Sequence, residues 1–570
     1  MRLIIVCALL LPAIAGFARI PDRYDLVIHE IMPKPLPAKG LPPYEYVELK
    51  NRSSQPVQLK NWRLGINRRE VVLPAYLLQP DSLVLLCTPA AVPAFHVADA
   101  LGIDRFPALA DDSCVLVLYD PAHRVIHAID YNLGWYNGTA AAKGGVSLEM
   151  VDPAFPCSGR RNWMACTDAA GGTPGKVNAV AGRMTDPAKP DLVFAGITDS
   201  IHLLLQFGKP VDSVQAADPQ HYQFTGGLRA VAAQPVMPLL AAVLITLNSP
   251  IQDGEIYTVH TTGITDCNDQ ESLLYNTITF MIPHPPEPDD IVINEVLFYP
   301  PAGIPEFIEI YNGGSRAIDL QQLRLGTWKA DNATEGWKSI TASSRLLMPG
   351  GFLALTTDVY RLSNYYHHLA ASSAQQVGSL PPMPHANGNI ALLRADSLVI
   401  DRLYYNEKMH FPLASDVRGI SLERLQYNRP SSDPSNWHSA AATSGYATPG
   451  LPNSQYYPQS DDTLHVSLSP AVFSPDQDGI DKVTLLSWQL PGPGYVGNIT
   501  IYEATGRVVR YLARNMLMGN KGTLQWDGLG ENAVILPSGI YIFLIDLFNL
   551  KGEVKHIKRT VVMARKLSRG

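Results

Sequence analysis

The chain has 570 residues, with 45 basic against 52 acidic side chains and a formal net charge of -7. No Lys/Arg-rich run is interleaved with aromatics, so the electrostatic field that tracks nucleic acid is missing and nucleic acid is not an expected partner. The length suits roughly four domains, and 46 prolines with 43 glycines favour many turns over long helices.

The opening MRLIIVCALLLPAIAG sets Arg2 before an apolar run that ends in Ala13-Ile14-Ala15, the small-x-small pattern of a cleaved signal peptide over 1–15. A membrane span needs roughly 18 apolar residues, and Pro12 interrupts this run well short of that. No later stretch is apolar enough to be a transmembrane segment. Export to the secreted or extracellular space is the expectation.

After the signal, DLVIHEIMPKP and YEYVELKNRSSQPVQLKNWRLG run from Asp25 to Gly65, and DIVINEVLFYP and PEFIEIYNGGSRAIDLQQLRLG repeat that pattern from Asp290 to Gly326. Glu30 answers Glu295, Glu48 answers Glu309 and Asn51 answers Asn312. Further on, SLEMVDP with NWMACTDAAGGTPGKVN (Ser147 to Asn178) matches SLERLQY with NWHSAAATSGYATPGLPN (Ser421 to Asn453). A repeat this long is a whole domain, far above a solenoid unit of 20 to 50 residues, so each copy needs its own core.

Between these motifs the hydrophobic period is two: VVLPAYLL, SLVLLC, CVLVLY and RVIHAI in the first copy, FLALTT, NIALLR and LVIDRLYY in the second. Short alternating or fully apolar runs bounded by Gly, Pro, Asn and Asp predict an all-β chain of tandem sandwiches. One short helix is expected at VYRLSNYYHHLAA, from Val359. The intervening LLLQFGKPVDS and AAVLITLNSPIQDGEIYTVHTTGITD also alternate, with an Asp-Gly turn at Asp253-Gly254.

Five cysteines follow the signal: Cys87, Cys114, Cys157, Cys166 and Cys267. An oxidising destination permits disulfides without fixing their connectivity. Cys157 and Cys166 share a Pro/Gly-rich loop and form the favoured pair; Cys87 and Cys114, on neighbouring apolar strands, either pair or serve as core. Cys267 has no evident partner, and the spacing is wrong for zinc.

EYVELKN and EFIEIYN, each following a strand with HE or NE and leading to an L-x-x-W/L-R-L-G element, resemble the lamin tail domain. That family's fold is an immunoglobulin-like sandwich found in nuclear lamins and in exported bacterial proteins. The likeness covers 22–180 and 288–455. The first copy departs from it by inserting KPLPAKGLPP and by carrying four cysteines that the second lacks. Residues 187–283 are similar to bacterial Ig-like spacer domains. From 463 to 565, IYEATGRVVR, WDG and LPSGIYIFLI resemble the Ig-like domain of the flagellar hook-capping protein and the C-terminal modules of exported Bacteroidetes proteins. The resemblance implies a sorting or anchoring role in type IX secretion for that last module, and hence association with the cell surface.

Candidate chemistry is sparse. Asp476, Asp478 and Asp481 alternate around a Gly turn and offer a hard oxygen site for calcium, although Asp side chains in such turns more commonly cap local amides. No other cofactor is expected. His29-Glu30 starts like a zinc-protease HExxH but has no second histidine and reads as strand. His123 and His127 are four positions apart on a turn entering a strand, so they do not share a helical face; at their places the second copy has Ser397 and Asp401. They are read as ordinary surface or turn residues. Glu45 and Glu48, matched by Glu306 and Glu309, point to opposite faces, so one of each pair must find donors indoors and is read as pinning a loop's amides. Asn61-Trp62, Trp163 and Trp437 are read as core or corner aromatics, with carbohydrate stacking as the minor alternative. No catalytic residue is assigned.

These elements describe a non-enzymatic exported protein with an adhesive or scaffolding role, whose lamin-tail modules present loops to envelope proteins or a surface polysaccharide. The alternative is an accessory protein or divergent hydrolase acting on external polymers.

Overall fold

The computed structural model describes residues 21–136, 140–329, 333–458, 463–475 and 481–565. The expected signal peptide, together with Asp476 and Asp478, lies outside the described residues. The chain forms two compact units: Met1–Ala188 with Met237–Leu239, and Lys189–Val236 with Leu240–Gly570. The architecture is all-β. Among the described residues the helices are one or two turns long, and the expected one at Val359–Tyr365 spans 7 residues; none is long and apolar enough to cross a membrane.

In the first unit, six strands lie in the order Trp163–Ala165, Leu148–Met150, Leu26–Met32, Tyr46–Asn51, Leu83–Cys87 and Ala100–Gly102. Four more, Val125–Asn132, Ser113–Tyr119, Arg63–Ile66 and Arg69–Val72, form the facing sheet. Inward side chains such as Ile28, Leu49, Leu64, Leu116 and Trp62 fill the space between, each stabilising by about 1.5–3 kcal/mol on burial.

The second repeat has the same plan within the second unit. Its large sheet runs Trp437–Ser439, Leu422–Arg424, Ile291–Leu297, Phe307–Asn312, Phe352–Thr356 and Ala374–Gln376, and its smaller sheet Val399–Asn406, Asn387–Arg394, Leu323–Trp328 and Thr334–Ser339. In both repeats the last strand of the large sheet joins in parallel and the other pairings are antiparallel. The same unit holds two further pairs of sheets. One has four strands from Leu192–Asp199 to Ala242–Leu247 and three from Tyr222–Phe224 to Thr277–Phe280; the other has three and five strands between His465–Ser469 and Val554–Met563.

The large sheets are covered on both faces, which explains why all seven residues of Leu26–Met32 and of Ile291–Leu297 are buried. One face meets the facing sheet. On the other, Met32, Tyr46, Leu85 and Cys87 pack with Ala91 and Phe95 beneath a short helical turn, and Leu297, Phe307 and Ala354 pack with Leu362 of the Val359–Tyr365 helix and with Tyr366, which caps it. The rest of that outer face is closed by the TPG-x-x-N segment, held there by carboxyl groups.

The favoured Cys157–Cys166 disulfide is not formed, and Cys87 and Cys114 take the core alternative. Cys166, Cys87 and Cys114 are free buried thiols, whereas Cys157 and Cys267 are each disulfide-bonded. Cys87 packs on the outer face of the large sheet while Cys114 lies in the core on its inner face, so the sheet itself separates them. Cys166 is turned into that core, where its sulfur accepts the Asp168 amide at 3.3 Å.

Candidate functional site

Three glutamates stand side by side across adjacent strands in each repeat. Glu30 is directly opposite Glu48 on one side and Glu149 on the other; Glu295 is likewise opposite Glu309 and Glu423. All six are 0% exposed. Like charges directly opposite on a sheet are destabilising, and an isolated buried carboxylate is costly. The arrangement therefore depends on hydrogen bonds and on protons held by the carboxyls.

The hydrogen bonds come from the TPG-x-x-N segment. In the first repeat, Glu30 accepts from the Thr173 amide at 2.9 Å and the Tyr46 hydroxyl at 2.5 Å, and Glu149 accepts from the Thr173 hydroxyl at 2.8 Å. Glu48 accepts from the Gly175 amide at 2.5 Å. In the second, Glu295 accepts from the Thr448 amide at 2.8 Å and the Ser421 hydroxyl at 2.5 Å, Glu423 from the Thr448 hydroxyl at 2.8 Å, and Glu309 from the Gly450 amide. Gly175 and Gly450 have φ of +75° and +81°, the left-handed conformation that glycine adopts without steric cost. Finally, the Asn178 side chain donates to His29 O and Met150 O, and that of Asn453 to Asn294 O and Arg424 O, tying the segment to two strands at once.

The protons follow from the geometry. Thr448 Oγ1 lies 2.8 Å from Glu423 and 3.1 Å from Glu295. A hydroxyl has one proton to give, so the second contact is a hydrogen bond only when a carboxyl is protonated and donates. Burial pushes Glu295 up to about 8 and, helped by the neighbouring carboxyl, Glu309 well above the ordinary range. Burial likewise pushes Glu30 and Glu48 up to about 8.

The histidines have structural roles too. His29 Nδ1 lies 3.2 Å from Glu48, and its counterpart Asn294 donates to Glu309 at 2.8 Å; burial lowers His29 to about 4 and keeps it neutral. His123 is exposed, stacked on Tyr119 at 4.3 Å and 3.2 Å from Glu70, as a turn residue should be. His127 differs from its surface reading, being 0% exposed. Its Nδ1 accepts the Ile28 amide at 2.9 Å, beside the bulge where the register shifts between Ile28 and Glu30. In the second repeat Asp401 accepts the Ile293 amide at 2.8 Å beside the same bulge. The position thus calls for an acceptor, which is an imidazole nitrogen in one repeat and a carboxyl oxygen in the other. Asp401 is accompanied by Arg424 at 3.4 Å and Ser431 at 2.6 Å, whereas the residue matching Arg424 beside neutral His127 is Met150.

Other repeated polar residues also hold turns. Asn51 donates to Gln55 O and Leu78 O, and Asn312 to Arg316 O and Leu347 O. Asn162 and Asn436, of the two NW motifs, each bridge two carbonyls of the loop before them. Trp62, Trp163 and Trp437 are buried. Glu45, half-buried, accepts the Leu109 amide at 3.0 Å; half-buried Glu306 is pushed up to about 7 by burial. Among the described residues no group of three or more His, Cys, Asp or Glu is placed to hold a metal ion. Of the calcium candidates only Asp481 is described, and its carbonyl accepts the Ser474 amide at 2.7 Å.

Where the repeats differ, a cleft of about 620 Å³ opens on the second. Tyr311, Tyr427 and Tyr456 line it, with ring centroids 4.1 Å apart for the first two and 4.4 Å for the last two. Phe352 closes against Tyr311 at 4.6 Å. Sequence reasoning missed this group because its members are far apart in the chain and each, taken singly, reads as a strand or loop aromatic.

Residues 21–133 match the model of the Lamin Tail Domain family. No curated protein matches the chain. Among solved structures, the chain is similar to CopC from Methylosinus trichosporium OB3b at 18% identity, covering 19% of this chain and 98% of that one with a TM-score of 0.14. A structure of surface layer protein SbsC, domains 1–6, matches at 12% identity over 67% of this chain and 55% of that one, with a TM-score of 0.16. PorZ, a bacterial surface component of the type-IX secretion system of Porphyromonas gingivalis, matches at 9% identity over 92% of this chain and 85% of that one, also at 0.16. The chain thus spans about half the length of the S-layer structure it matches.

Proposed function

We propose that this chain, which carries a lamin tail domain at residues 21–133, is an exported scaffold or adhesive protein of the cell surface with two lamin-tail modules as its binding units. In this reading 187–283 is an Ig-like spacer, 288–455 the second lamin-tail module, and 463–565 a sorting or anchoring sandwich of the type IX kind. The observation that carries the binding role is a contrast between the repeats. Their three buried glutamates and the Thr, Gly and Asn of their TPG-x-x-N clamps correspond position by position, while their surfaces diverge. Groups that an enzyme would use for acid–base work are occupied in holding backbone amides, and recognition is left to side chains that only one repeat possesses. Fold alone does not name a ligand.

The test is a titration of the purified chain against envelope polysaccharide and envelope proteins, run beside a panel of hydrolase substrates. Saturable binding without turnover is the expected result. Turnover that disappears on substituting His29 or Glu48 in a still-folded protein overturns the reading in favour of a hydrolase.

A further inference from the structure

The tyrosine cleft brings three half-buried phenol side chains together. Five buried tyrosines satisfy their hydroxyls internally: Tyr131 donates to Ala110 O, Tyr136 to Val146 O, Tyr222 to Ala216 O, Tyr405 to Pro384 O and Tyr541 to Pro537 O; the buried Tyr366 hydroxyl has no partner among the described residues. Among the described residues the hydroxyls of Tyr311, Tyr427 and Tyr456 make no hydrogen bond to the protein, and all three side chains line the cleft. Tyr456 has one ring contact, with Tyr427, so its other face has no described ring against it.

The fold does not require this group. In the first repeat the register position of Tyr311 is Lys50, paired with Asp81 at 2.5 Å, and that of Phe352 is Leu83. Counting from the SLE and TPG-x-x-N motifs, Pro153 stands for Tyr427 and Ala181 for Tyr456. Four aromatics have thus been placed together on a framework that folds without them.

The remaining lining is mixed, with Val292, Gly313, Pro430 and Pro458 beside polar side chains. Asp289, Gln426 and Asn428 edge the cleft, and among the described residues their side chains have no hydrogen-bond partner in the protein. Arg429 is held in place by Asp433 and by Ser435 at 2.6 Å. Aromatic faces take up the C–H faces of a pyranose ring, and carboxylate, carboxamide and phenol groups match vicinal hydroxyls as donors and acceptors.

We propose that this cleft, floored by Tyr311, Tyr427 and Tyr456 and edged by Asp289, Gln426 and Asn428, binds a segment of a polysaccharide with one sugar ring stacked on tyrosine. The inference deepens the binding-unit reading above and rests on it. A proline-rich peptide is the competing occupant, since such peptides also dock on tyrosine-lined grooves, but the carboxylate and two carboxamides at the edge, none of them hydrogen-bonded to the protein among the described residues, favour the polyhydroxyl ligand.

Titration calorimetry of the full chain against neutral hexasaccharides of β-linked glucose, β-linked N-acetylglucosamine and α-linked mannose tests it, with a proline decapeptide alongside. Saturable binding of at least one hexasaccharide is expected. Tyr456→Ala should weaken that binding about tenfold or more, the effect of losing roughly 1.4 kcal/mol of contact, and Tyr427→Phe, which keeps the ring and removes the hydroxyl, about threefold to tenfold. Unchanged melting of both variants shows that the fold is intact; if Tyr456→Ala unfolds the module, Asn428→Ala at the exposed rim replaces it, with an expected loss of about threefold or more. Absence of hexasaccharide binding, binding indifferent to these substitutions, or decapeptide binding lost in Tyr456→Ala overturns the proposal. If envelope binding persists in the first two cases, the scaffold reading stands without this site; turnover of a hexasaccharide would overturn that reading as well.

Discussion

Glu295→Ala is expected to cost about 3–5 kcal/mol of stability, measured by urea denaturation of the purified chain. The substitution strips the acceptor from the buried Thr448 amide, leaves the Ser421 hydroxyl with only the Tyr446 carbonyl at 3.3 Å, and opens a space where the carboxyl stood. Each buried donor left without a partner costs about 1–3 kcal/mol, to which the cavity adds. Glu295→Gln keeps an oxygen for the Thr448 amide and supplies an N–H where the carboxyl holds its proton, so its loss should stay near about 1 kcal/mol. A loss below about 1 kcal/mol for the alanine variant would mean that the segment is held by something other than the carboxyl row.

The second large effect is in pH. A carboxyl whose pKa is raised in the folded state binds more protons folded than unfolded, so stability falls as pH rises from the unfolded pKa to the folded one. For Glu295, held up by burial from 4.5 to about 8, the contribution is fully present below about 4.5 and lost by the time pH passes about 8. The buried histidines act in the opposite sense. Burial lowers His29 and His410 to about 4 and His127 to about 3, so their contribution is present above about 6.5 and lost as pH falls through those values. Between pH 6.5 and 9 the carboxyl effect therefore acts without opposition from these histidines. Glu295 alone should cost about 2 kcal/mol across that window, and the Glu295→Gln chain should show a correspondingly flatter profile. Equal slopes for the two proteins would contradict protonation of Glu295.

Much of this architecture was legible because the sequence is written twice. The doubled HE/NE, E-x-x-E, SLE and TPG-x-x-N motifs predicted paired sandwiches and glutamates that hold amides, and the hydrogen bonds of Glu48 and Glu309 to glycine amides show how. Which loop they hold was not legible: Glu30 and Thr173 are 143 positions apart, and period-two alternation says which face a side chain occupies without saying what covers it. His127 and Asp401 were aligned yet read as unrelated, because residue type hides a shared role when the role is only to accept one backbone hydrogen bond. Cys157 and Cys166 looked like a pair from their common loop; side-chain direction, which spacing does not encode, put Cys166 in the core. The tyrosine cleft was hidden for the opposite reason to the clamp, since it has no second copy to mark it.

The central claim is that repeated polar residues build the modules while unrepeated surface residues carry recognition. Parallel melting and ligand titrations of Glu309→Gln and Tyr456→Ala chains test it most directly, using whichever envelope polysaccharide the unsubstituted chain binds. The expected result is a crossover: Glu309→Gln melts at a lower temperature and retains its affinity at 20 °C (roughly room temperature), whereas Tyr456→Ala keeps its melting temperature and loses affinity. Loss of affinity in a folded Glu309→Gln chain, with Tyr456→Ala binding normally, would contradict the account and return the carboxyl row to the centre of function.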